Sequence, residues 1–215
     1  KVMRFVPPDP AHSHTVGEHS MRMVEHLERL RAGRDPEGRR FTDLMSQCTH
    51  FDMLCLAALL HDAGKLAPGK EHCGAGADLA ASVAARLNLP PEKKGILDVL
   101  VREHLLLVRT ARLQDLKSAH VIRKAAEQVP SLEALRHLYV FTYVDNSAVA
   151  EKNWTTMDLR NLEDLYGKIQ GYFTRRSDEN SGDGTDEDQT FLVRKKLTAL
   201  QARNEAAVLK HCDAM

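Results

Sequence analysis

The run Leu59-Leu60-His61-Asp62-Ala63-Gly64-Lys65 limits what this chain can fold into more than any other stretch. It closes an apolar helical segment, Met53 to Leu60, so an imidazole and a carboxylate stand side by side where a buried helix stops. Glycine at position 64 can take the left-handed conformation that ends a helix, and Pro68 and Gly69 keep the helix from restarting. Asp62 is therefore expected to be buried beside a cavity. Burying a carboxylate without a partner costs several kcal/mol, so it must be paired or bound to a cation.

The flanking sequence reads as helices throughout. Thr15-Val16-Gly17-Glu18 is a capping box that opens a helix to about Leu30 and puts His19 in its first turn, with His12 and His14 on the Pro-rich segment before it. Arg34 to Arg40 reads as a loop, and a second helix is expected from Thr42 or Asp43 to the His61-Asp62 pair. A Gly/Pro loop carrying Glu71, His72 and Cys73 leads to a small-residue helix from about Ala75 to Leu87. Pro90-Pro91 starts a helix to near Val108, on which Leu97, Leu100, Val101, His104 and Leu105 share an apolar face. Arg109 and Arg112 fall on a short connection before a helix from Ser118 to Val129. In the helix from Ser131 to Val149, Leu135, Leu138, Phe141, Thr142 and Asp145 recur at helical spacing, which sets a carboxylate on the core-facing stripe. A further helix is expected from Thr155 to Thr174.

Composition then shifts. The stretch Ser177 to Asp188 holds six acidic residues, two glycines and no base, the signature of a solvated linker. Three parts follow: a helical domain over 1–176, an acidic linker over 177–189 and a C-terminal helix over 190–215. That last helix carries Val193, Leu197, Leu200, Asn204 and Ala207 in one stripe, suited either to a homodimer or to docking on its own domain. The 215 residues suffice for one good core. Thirty basic and thirty acidic residues cancel, which argues against a DNA-binding or membrane surface. The four cysteines show no CxxC spacing and no signal peptide is visible, so a reducing cytoplasm is expected. A start at lysine suggests a domain cut from something longer.

The chemistry follows from these placements. His19, His61, His72 and His104 with Asp62 and Asp145 bring imidazole and carboxylate to helix ends or apolar stripes, a donor set for a divalent ion: Mn, Fe, Co, Ni, Zn or Mg. Asp62 could bridge two ions about 3.5 to 4 Å apart, the spacing that serves phosphoryl hydrolysis.

The order His19, His61-Asp62, His72, His104, Asp145 resembles the signature of the HD-domain metal-dependent phosphohydrolases, an all-α helical fold. Thr15 to His19, Leu56 to Lys65, His72 with Gly76-Ala77, Leu100 to Leu105, Asp145 and Trp154 are similar to the HD domain of the GlnD family, the bifunctional PII uridylyltransferase/uridylyl-removing enzymes. Glu71-His72-Cys73 departs from that family's usual Asp-His-Ser. The resemblance implies an HD helical bundle that hydrolyses the phosphodiester between UMP and a tyrosine of the signalling protein PII. It also implies one metal on His19, His61, Asp62 and Asp145, and a second on His72 and His104 with Asp62 shared. Asp62 and Lys65 are the expected catalytic residues; Lys65, Arg109, Arg112 and His12 are the expected substrate contacts. Two other readings stay open, hydrolysis of a free nucleotide and a non-catalytic signalling module.

Overall fold

The structure, a computed structural model, describes residues 4–6, 14–35, 38–67, 72–149 and 153–181. Among them the chain is all-α. It runs α1 (Val16–Arg31), α2 (Arg39–Met45), α3 (Phe51–Leu60), a 3-10 turn (Ala63–Leu66), α4 (His72–Arg86), α5 (Pro91–Arg102), α6 (Leu106–Leu113), α7 (Ala119–Glu127), α8 (Leu132–Val149) and α9 (Thr156–Ser181). No described helix is long and apolar enough to cross a membrane.

The centre is α8. It is buried on nearly every side, from Ala134 to Ala148, and a helix without a polar face has to be enclosed by others. α1, α2, α3, α5, α6 and α9 pack against it. Leu135, Leu138, Tyr139, Phe141 and Val144 fill the core around it, and Phe41 of α2 stacks on Tyr143 at 3.9 Å between centroids. Asp145 sits one turn beyond Phe141 on this same helix, so the fold delivers a carboxylate to the interior.

Thr15 caps α1 as the sequence predicts, accepting from the Glu18 amide at 3.1 Å, while the Glu18 carboxylate takes Arg22 instead of closing the reciprocal half of the capping box. Elsewhere the helix bounds differ from those periodicity implies, and α4 starts at His72, a residue expected in the preceding loop. The helix expected from Thr42 to the His-Asp pair is two helices, α2 and α3, because Ser46-Gln47-Cys48-Thr49 offers side chains that compete with helical bonding; Ser46 Oγ donates to the Asp43 carbonyl at 2.7 Å. The helix expected to reach Val108 stops at Arg102 and restarts at Leu106, leaving His104 in the break. Arg109 and Arg112 therefore lie on α6 rather than on a connection. α9 runs on through Ser181 and so carries the first residues assigned to the acidic linker. The rest of that linker, the 190–215 helix with its dimer reading, and His12 lie outside the described residues.

Gly64 is needed for a different reason than helix termination. Among the described glycines Gly33 has a positive φ, 67°, and Gly64 does not. Gly64 lies inside the 3-10 turn, where a Cβ would stand 2.0 Å from the His72 carbonyl oxygen and 2.5 Å from the Gly76 amide. The missing side chain lets the turn after the His-Asp pair press onto the start of α4. Gly76 answers from the other side, where a Cβ would sit 3.2 Å from the His61 carbonyl oxygen.

Candidate metal centre

That close approach assembles the site. His61 and Asp62 come from the end of α3, His72 from the first residue of α4, His104 from the break after α5, His19 from the first turn of α1 and Asp145 from α8. His19, His61, Asp62, His104 and Asp145 are all buried. His19 Nε2 lies 2.9 Å from Asp145 Oδ1, and His61 Nε2 lies 3.6 Å from that oxygen and 3.5 Å from Asp62 Oδ2. Asp62 turns its other oxygen, Oδ1, toward His104 Nε2 at 4.0 Å. The His61 ring meets those of His19 and His104 edge-on, at 5.2 and 5.1 Å, and His72 stands 5.6 Å from His104.

Two backbone contacts fix which nitrogens face inward. His61 Nδ1–H donates to the Ala58 carbonyl at 3.1 Å, and His104 Nδ1–H donates to the Val101 carbonyl at 2.8 Å. Each ring thus spends Nδ1 on the chain three residues back and presents Nε2 to the cluster, the arrangement that orients histidine toward a cation.

Electrostatics point the same way. Burial alone would raise the Asp62 carboxyl, but His61 and Lys65 hold it well below the ordinary carboxylate range. Burial would likewise raise Asp145, and the hydrogen bond from His19 with the charge of His61 lowers it. Burial works against an imidazolium at His61, yet Asp62 and Asp145 outweigh it and push the group up to about 9. His104 goes the other way, down to about 4, through burial and repulsion from His61. Two buried anions therefore demand positive charge, which a proton on His61 and the Lys65 ammonium, 2.6 Å from Asp62 Oδ2, supply without a metal. A divalent ion satisfies the same demand and releases the proton.

Donor atoms of His19, His61 and Asp62 lie within 4.8 Å of one another, as do those of His72, Cys73 and His104. Both sets are compact enough to hold an ion. Cys73 is the addition. The sequence marks it only as the neighbour of a candidate ligand and gives no reason to expect its sulfur to point at His104. His50, Glu92 and Glu133 form a further donor group, but Glu92 is exposed and the group lies apart from the cluster.

A cleft of about 400 Å³ opens over the cluster, lined by Asp62, Lys65, His72, His104, Arg109 and Asp145 together with Arg112, Asn146 and Asn153. The two arginines differ. Arg112 is committed to Asp158 at 3.1 Å, to the Asn153 carbonyl at 3.0 Å and to the face of Trp154. Arg109 makes no ion pair among the described residues and remains exposed at the rim. Asn146 and Asn153 were not singled out by the sequence; Asn153 Nδ2 donates to the Asn146 carbonyl and so links the ends of the cleft wall at 3.0 Å. A larger groove beside α9, lined by Arg40, Lys117, Arg123 and Arg175 among others, shares no lining residue with this cleft.

An all-helical body that gathers His19, the His61-Asp62 pair and Asp145 is consistent with an HD-type domain. Over most of its length the chain is similar to one segment of the bifunctional uridylyltransferase/uridylyl-removing enzymes, the GlnD family. It is 35% identical to that enzyme of Gluconobacter oxydans over 163 residues, which cover 75% of this chain and 17% of that protein. The enzyme of Bordetella avium is 34% identical over 163 residues, 74% of this chain and 18% of its own length. That of Erythrobacter litoralis is 33% identical over 156 residues, 72% and 17% of the respective chains. The chain thus spans less than a fifth of the length of these relatives. No family model matches the chain, and no solved structure matches it.

Proposed function

We propose that this chain is a metal-dependent phosphodiesterase of the uridylyl-removing type, which releases UMP from a tyrosine of a PII-like signalling protein in the cytoplasm. One observation carries the reading: His19, His61, Asp62 and Asp145, spread over 126 residues of sequence, meet in one buried cluster beneath a cleft. The relatives' names, which include a uridylyl-removing activity, support the choice of substrate.

In this reading His19, His61, Asp62 and Asp145 would hold one ion and His72 and His104 a second, and Asp62 offers Oδ2 beside His61 and Oδ1 beside His104. Such ions, when bound, would supply a water of lowered pKa and neutralise charge on phosphate oxygens. The chain's own residues do the rest. Asp62, held so far below the usual range, is an anion that anchors positive charge and not a proton acceptor. Lys65 braces Asp62 Oδ2 and reaches the cleft, where its ammonium meets a phosphate oxygen. Arg109 at the rim pairs with the phosphate or its flanking group. The water oxygen bonds to phosphorus as the phosphorus–tyrosyl oxygen bond breaks, and one water proton ends on the phenol.

Metal-stripped protein should be reloaded with Mn, Fe, Co, Mg or Zn and assayed on UMP-PII, bis-nitrophenyl phosphate and free nucleotides, beside His61→Ala and Asp145→Ala. Metal-restored release of UMP that both variants lose by about a thousandfold or more supports the reading. Activity persisting in both variants refutes it, and turnover confined to free nucleotides moves the substrate away from PII.

A further inference from the structure

We propose that Cys73 is a ligand of the second cation position, so that His72, His104 and the Cys73 sulfur form a nitrogen-and-thiolate set that prefers zinc, iron or cobalt to magnesium. The inference rests on the metal-dependent reading above and adds a donor of different chemistry to it.

The geometry carries it. Cys73 Sγ lies 3.4 Å from His72 Nε2, and Cys73 Sγ, a ring nitrogen of His72 and a ring nitrogen of His104 all fall within 4.8 Å of one another. With metal–sulfur and metal–nitrogen bonds of about 2.3 and 2.1 Å, a sulfur and a nitrogen on one ion stand about 3.1 Å apart at a right angle and about 3.6 Å apart at the tetrahedral angle. The observed spacing falls between the two. His104 has its Nδ1–H committed to the Val101 carbonyl, which leaves Nε2 for the ion. Cys73 is 6% exposed, and its position is set by backbone packing, since the Gly64 turn presses on the His72 carbonyl at the start of α4.

A thiol donating to the His72 ring would also fit 3.4 Å, but such a pair has no use for a third donor from another element. His104 supplies that third donor from beyond α5. On binding, the thiol proton passes to solvent as the sulfur–metal bond forms, with no change of oxidation state. Soft thiolate selects against magnesium, which takes oxygen donors.

Cobalt(II) titration of the metal-stripped full chain tests this without reference to turnover. Expected are visible ligand-field bands from bound cobalt together with a near-ultraviolet sulfur-to-cobalt charge-transfer band. Cys73→Ser and Cys73→Ala should both abolish that band while the ligand-field bands at the His61 position remain. Affinity for the second equivalent should fall by about tenfold or more, the least expected where a donor itself is lost. Bound cobalt with no charge-transfer band in the unmodified protein overturns the proposal and leaves the metal reading standing. A band that survives in both variants assigns the sulfur to another cysteine and also overturns it. No cobalt binding at all sinks both.

Discussion

Alanine at position 64 puts the packing that builds the site to a direct test. A Cβ there meets the His72 carbonyl oxygen at 2.0 Å and the Gly76 amide at 2.5 Å, so the turn and the start of α4 must separate by about 1.4 Å to reach ordinary contact. Both obstacles are backbone, with no rotamer to swing aside. Overpacking typically costs 1 to 3 kcal/mol, and Gly64→Ala should fall near the upper end, about 3 kcal/mol, against a total stability of about 5 to 15 kcal/mol. The separation also moves Asp62 away from His72 and His104. A 1 Å error in a reacting constellation costs about a hundredfold, so activity on bis-nitrophenyl phosphate should drop far more than folding does. Gly167→Ala is the control: nothing lies within 4 Å of its Cβ on α9, and removing a glycine from a helix interior should stabilise by about 0.5 to 1 kcal/mol. Urea titrations of both variants and second-metal affinity by dialysis give the readout. A Gly64→Ala protein as stable and as active as the parent, or equal losses in the two variants, would refute the argument from close approach.

The stability of the metal-free protein should peak near pH 6.5. His61, folded at about 9 against an ordinary 6.5, contributes stability that is complete below pH 6.5 and lost as pH rises through 9, up to about 3 kcal/mol. His104, lowered to about 4, removes stability as pH falls from 6.5 toward 4, because only the unfolded chain takes up that proton. Urea midpoints across pH 4 to 10 check both arms, and a flat profile would contradict the charge balance described for the cluster. Binding of a divalent ion at pH 7.5 should release protons in a weakly buffered solution, and His61→Ala should lower the number released. Arg109→Ala should raise KM on UMP-PII by about tenfold with stability unchanged, whereas Arg112→Ala should leave KM near the parent value and lose about 0.5 to 1 kcal/mol through Asp158 and Trp154. Aryl phosphodiesters should be cleaved much faster than alkyl ones, and equal rates would argue against the mechanism.

Residue type and order in the sequence already pointed to the cluster, because buried helix ends bearing histidine and aspartate have few stable alternatives to a shared cation. Asp145 was legible from the stripe it shares with Leu138 and Phe141, and His19 from the capping box ahead of it. What periodicity could not show were the breaks. From Pro91 to Val108 the apolar pattern continues across Glu103, yet the chain turns there, and that turn frees His104 to bond Val101 and face Asp62. Gly64 carried a signal that was read for the wrong cause, since a glycine after a helix looks alike whether it needs a positive φ or a bare Cα. Cys73 had no periodic signal at all, because its neighbours are set by a contact between the 3-10 turn and α4 that is remote from local pattern.

The charge arrangement also bears on which ester this site could open. Two groups of the cluster have no proton to give: His104 is neutral at ordinary pH with its Nδ1–H bonded to the Val101 carbonyl, and Asp62 is locked as an anion. Arginine does not act as an acid at any accessible pH. An alkoxide leaving group, with a conjugate acid near pKa 16, about that of water, needs a proton in the transition state, which neither Asp62 nor His104 can give. A tyrosyl oxygen leaves as a phenolate with a pKa near 10, some six orders of magnitude less basic, so the positive charge of Lys65 or of an ion suffices to stabilise it. A site whose Asp62 and His104 carry no transferable proton, with positive charge beside them, thus favours, within the proposed reading, an aryl phosphodiester such as UMP-tyrosine over the sugar–phosphate bond of a nucleic acid or cyclic nucleotide.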